Sequence, residues 1–148
     1  MLQAQMWAQT DGNRAWWERP EALDEGDKLV GYSLLIHRDG FSYMLFVEPQ
    51  ADGILVDAQF GRPIPSSSKI PTALMDRIRD TNNKLPSHIV FAFRKCGPEV
   101  MELVLATKVR QGASVNQFAS AVEDLLRDYR GTYPVWKDYL GYLQKLGR

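Results

Sequence analysis

The chain has 148 residues, enough for one domain that buries a core without disulfide or metal staples. Hydrophobic residues make up 45% of it and charged residues 24%, a balance that excludes wholesale disorder. The 18 basic and 18 acidic residues give zero net charge, which argues against a dedicated nucleic-acid binder.

Residues 1–28 form the least readable segment of this single domain. Leu2 and Met6 lie four apart, a spacing that fits a short helix over Met1–Gln9. Asp11-Gly12-Asn13 breaks it. The adjacent Trp16 and Trp17 point in different directions in any regular structure; the expectation is that both cover the edge of this domain's own core, with contact of at least one against something else as the alternative. The start lacks a charged residue followed by an apolar run, so no secretory signal is expected.

Three antiparallel strands are expected next. Leu29–His37 meets Arg38-Asp39-Gly40, and Asp-Gly favours a tight hairpin because both central positions take positive φ. Phe41–Glu48 and Ile54–Phe60 follow across the Pro49–Gly53 turn. The stretch 61–70 holds two prolines and three serines, so it reads as loop. Pro71 suits a helix start, Leu74, Met75 and Ile78 supply its apolar side, and Asn82-Asn83 with Pro86 ends it. Alternation of Ile89, Phe91 and Phe93, then of Met101, Leu103 and Leu105, gives a strand pair around Gly97-Pro98.

Ser114 with Gln117 three residues on matches a capping box. Phe118, Val122, Leu125, Leu126 and Tyr129 make one helix face. Residues 131–148 hold a last helix, entered through Thr132-Tyr133-Pro134. The order is (α)βββαββαα. It predicts an α+β domain, a mostly antiparallel five-stranded sheet with helices on one face.

Alternation sorts the sheet residues. One face is nearly all apolar and should meet the helices. The other is mixed, where a solvated face should be polar. Leu35, Met44, Phe46, Leu55, Val90 and Val104 fall there, a candidate protein-binding patch. The competing expectation is that the N-terminal segment, with Trp16 and Trp17, folds over it.

Chemistry is not legible. Cys96 is the only cysteine, which rules out an intramolecular disulfide and suits a reducing compartment. It follows Arg94 and Lys95, cations that would lower its pKa, but no hydrolase motif surrounds it. His37 and His88 are the only histidines and have no zinc-like spacing to Cys96. No phosphate loop or dinucleotide motif occurs, so no catalytic residue, metal or cofactor is expected. A site assembled from distant residues, such as His37, Asp57 and Arg94, is the alternative.

The basic residues cluster in 62–95, which holds Arg62, Lys69, Arg77, Arg79, Lys84, Arg94 and Lys95 against only Asp76 and Asp80. The expectation is a solvated helix face, with nucleic-acid contact as the weaker alternative. No apolar run of ~18 residues occurs, so no membrane span is expected. The cytoplasm is the expected location.

The meander YSLLIHRDGFSYMLFVEPQADGILVDAQF, the helix PTALMDRIRDTNN, the strand pair HIVFAFRKCGPEVMELVLATKV and the helix SVNQFASAVEDLLRDY span about residues 29–130. In order and hydrophobic spacing they resemble the YbjN-like family and the wider type III secretion chaperone-like fold. The resemblance implies a small cytoplasmic bacterial protein that binds other proteins as a homodimer, with no catalytic centre. It places the dimer contact, by analogy, on Leu74, Met75 and Ile78 and the strand 88–94. Secretion-effector chaperones are typically acidic and this chain is neutral, which favours the adaptor role over the effector-chaperone one.

Overall fold

The computed structural model describes residues 21–25, 28–38 and 40–147. The expected helix over Met1–Gln9 and the pair Trp16 and Trp17 lie outside the described residues.

The strands are β1 (Glu21–Glu25), β2 (Lys28–Arg38), β3 (Phe41–Gln50), β4 (Gly53–Pro65), β5 (Ile89–Gly97) and β6 (Val100–Arg110). The helices are α1 (Thr72–Lys84), α2 (Val115–Gly131) and α3 (Tyr133–Leu146). The fold is α+β, with all five expected strands and helices on one face. A sixth short strand, β1, extends the sheet, whose order is β1-β2-β3-β4-β6-β5. Every neighbouring pair is antiparallel.

Local chemistry explains the turns. Gly40 carries φ +79° in the β2–β3 hairpin, a conformation that costs glycine nothing. In β4 the register shifts between Phe60 and Ile64, and Gly61 sits in that bulge at φ +74°. A Cβ there would collide with Leu143 of α3, so Gly61 serves both the bend and the close approach of the helix.

Pro71 stands just outside α1 in extended conformation, with the helix running from Thr72. Asn82 in its last turn turns its side chain to the sheet. The Phe91 N–H donates to Asn82 Oδ1 at 2.8 Å, which satisfies an outward donor of the edge strand β5. The capping box of α2 is complete. The Gln117 N–H donates to Ser114 Oγ at 3.1 Å, and the Ser114 N–H to Gln117 Oε1 at 2.7 Å.

The core lies between the sheet and the helices. Leu34, Ile36, Leu45, Val56, Phe91, Leu103 and Leu105 meet Phe118, Val122, Leu125 and Tyr139 there. Burial of a side chain such as Phe118 stabilises by roughly 1.5–3 kcal/mol. Phe60 stacks on Trp136 at 5.1 Å, and Trp136 Nε1 donates to the Tyr129 carbonyl at 2.9 Å, which fixes α3 against α2 and β4. Phe91 and Phe93 belong to this core and its margin, as the alternation implies.

Leu74 and Ile78 do not serve the dimer contact assigned to them. They are 7% and 3% exposed and pack inside the subunit. Only Met75 of that trio keeps part of its surface open.

Candidate interaction surface

The helix-free face of the sheet is set by strand register. Leu35 on β2 stands opposite Met44 on β3. Phe46 lies between Ser33 and Asp57, and Leu55 between Glu48 and Lys108. On the far flank of the same face, Val90 on β5 stands opposite Ala106 on β6.

Met44 and Val90 are 46% and 48% exposed. Leu35, Phe46 and Leu55 are half-buried. Val104 is not available to a partner, because it is 3% exposed in β6, which is paired on both sides by β4 and β5. From Glu102 to Thr107 every residue of β6 is buried, so this strand departs from the one-face-in, one-face-out expectation.

A partly buried ion cluster divides the two apolar flanks. Arg94 on β5 reaches across β6. Its Nη1 donates to Asp57 Oδ2 on β4 at 3.0 Å, and its Nη2 donates to Glu102 Oε1 on β6 at 3.1 Å. Glu48 Oε1 on β3 lies 3.9 Å from Nη2. One guanidinium thus joins four strands. Its planar fork suits this task better than a lysine ammonium would.

Asp57 is fully buried, and its Oδ1 has no hydrogen-bond partner. Burial raises its pKa to about 6, against the attraction of Arg94, and the charges of Glu48 and Glu102 add to the rise. Loss of hydration pulls Arg94 down, but Asp57 and Glu102 hold its pKa above the ordinary value. Two buried carboxylates and the part-exposed Glu48 thus surround one cation.

The alternative site does not assemble. Asp57 and Arg94 meet, but His37 bonds Ser42 across 2.9 Å at the β2–β3 hairpin, four positions along β3 from Phe46, the partner of Asp57. Cys96 is exposed, and its thiol is pushed up, by burial first and then by Glu102, against the pull of Arg94. The neighbouring cations therefore do not activate it. Among the described residues no group of His, Cys, Asp and Glu side chains is placed to hold a metal ion.

The basic segment is not an open stripe. Arg77 pairs with Asp138, Arg79 with Asp76, and Arg94 with the buried carboxylates. A feature that sequence reasoning missed is the exposed pair His88 Nε2–Asp124 Oδ2, at 3.0 Å. It lines a shallow depression with Ser120. No local pattern marks this pair, since its members are 36 positions apart.

Among the described residues no helix is long and apolar enough to cross a membrane. No family model and no curated protein matches the chain.

Proposed function

We propose that this protein is a non-enzymatic adaptor or chaperone-like module that binds other proteins through the helix-free face of its sheet. The observation that carries the reading is the exposure of Met44 and Val90 on two flanks of that face. Half-buried Leu35, Phe46 and Leu55 widen the first flank. The ion cluster between them ties β3, β4, β5 and β6 into a stiff floor. A stiff surface with protruding apolar side chains captures a partner at low ordering cost.

The resemblance to the YbjN-like and secretion-chaperone-like proteins supports the same reading and adds a homodimer working in the cytoplasm. In that dimer α1 contributes Met75 rather than Leu74 and Ile78. Static light scattering at tens of micromolar should give twice the mass of one chain; a single-chain mass would remove the dimer. A photo-crosslinking residue at position 44 or 90 should trap partner chains in the native cell, whereas one at the exposed Asn116 on α2 should not. Equal trapping at all three positions would remove the assignment of the face.

A further inference from the structure

The side of the molecule away from the helix-free face carries a second feature. A groove of about 550 Å³ runs between α1 and α3. Arg77 and Asp138 pair at its side, and the Arg77 guanidinium also donates to the Pro134 carbonyl at 3.2 Å. That pair is neutral and internally satisfied. Along α3, Lys137, Gly141 and Lys145 follow at intervals of four, which puts them on one stripe of the helix, and all three line the groove.

Gly141 has no structural reason to be glycine in the free protein. A Cβ built there meets no atom within 4 Å, so alanine would fit. A mid-helix glycine lowers the folding equilibrium about fivefold relative to alanine. What it provides is a gap in the groove floor where another chain can approach the helix backbone. Lys137 and Lys145 flank that gap, and neither has an ion-pair partner among the described residues; the Lys137 ammonium lies 5.8 Å from the Tyr133 ring centroid. Apolar Ala73 and the Tyr142 ring face the same space.

We propose that the α1–α3 groove binds an extended acidic peptide segment, with an apolar side chain seated over Gly141 and carboxylates on Lys137 and Lys145. Eight residues of helix separate the lysines by about 12 Å at 1.5 Å per residue. An extended chain covers that span in about four residues. The fitting ligand therefore has acidic residues four apart with an apolar residue midway. This site is independent of the sheet face, so either proposal can fail alone.

The test uses a fluorescein-labelled peptide carrying the run Glu-Ser-Leu-Ser-Glu, with Lys-Ser-Leu-Ser-Lys as control, read by fluorescence anisotropy on the full chain at low salt. The acidic peptide should bind roughly tenfold tighter than the basic one or better. Gly141→Leu should weaken it by a similar factor while melting no lower than the wild type, since it removes a mid-helix glycine, and the pair Lys137→Glu with Lys145→Glu should weaken it as much with unchanged melting. Binding indifferent to Gly141→Leu, or equal binding of both peptides, would overturn the proposal. So would a wild-type dimer that Gly141→Leu dissolves, because the occupant would then be a second copy of this chain.

Discussion

Replacing Asp57 by asparagine tests the electrostatics of the sheet face directly. In the folded protein this carboxyl titrates at about 6, against an ordinary 3.8, because burial disfavours its charge more than Arg94 favours it. The folded state therefore holds the proton more tightly than the unfolded chain does. The stabilisation from this group is fully present below pH 3.8 and is lost as pH rises through about 6. At one pKa unit per 1.36 kcal/mol, the whole window is worth ~3 kcal/mol.

Between pH 7.5 and pH 5, the linkage relation gives a gain on the order of 1 kcal/mol on acidification. Asparagine is neutral at every pH and so removes that slope. It should also stabilise the fold at pH 7.5 by roughly 1–3 kcal/mol. The lower end allows for an amide N–H that inherits the unpartnered place of Oδ1. For a chain of this size, each kcal/mol moves the melting temperature by about 2–4 °C. Urea unfolding of both proteins at pH 5 and pH 7.5 supplies the four free energies. A variant that is less stable at pH 7.5, with the same pH slope as the wild type, would refute the reasoning.

Arg94→Met takes away the only cation of the cluster and should cost about 3–5 kcal/mol at pH 7.5; the deficit should shrink at pH 5, where Asp57 accepts a proton, and chemical denaturation at both pH values measures it. Ser114→Ala removes half of the capping box of α2 and should lower stability by ~1 kcal/mol, seen as a shift in urea midpoint without a change in slope. Gly61→Ala places a methyl at positive φ against Leu143, so a loss of roughly 2 kcal/mol is expected by thermal melting.

Much of the scaffold was legible because short-range rules govern it. The two-residue period of Leu34 and Ile36, of Tyr43 and Leu45, and of Leu103 and Leu105 names the core face before any pairing is known. The Ser114–Gln117 spacing marks the start of α2. β1 escaped because Glu21–Glu25 is short and acidic, and its strand character comes from pairing with β2.

The site was legible only in part. Met44 and Val90 fall on the helix-free face, as alternation implies, and they are exposed. Val104 obeys the same alternation and is buried, because alternation assigns a side chain to a face and not its exposure. The ion cluster could not be read at all. Arg94 lies 37 positions from Asp57 and 8 from Glu102, and the order β4-β6-β5 brings them together. His88 and Asp124 meet for the same kind of reason, through the packing of α2 on the sheet.

The central claim is that partners are held by the helix-free face. Its most direct test is quantitative capture from the native cell by the wild-type chain and by the double variant Met44→Glu, Val90→Glu. Both side chains are about half exposed, so the variant should melt with the wild type. The account predicts that partners enriched by the wild type fall roughly tenfold with the variant, as expected when charge is placed in an apolar contact. Capture of the same partners in the same yield would contradict it.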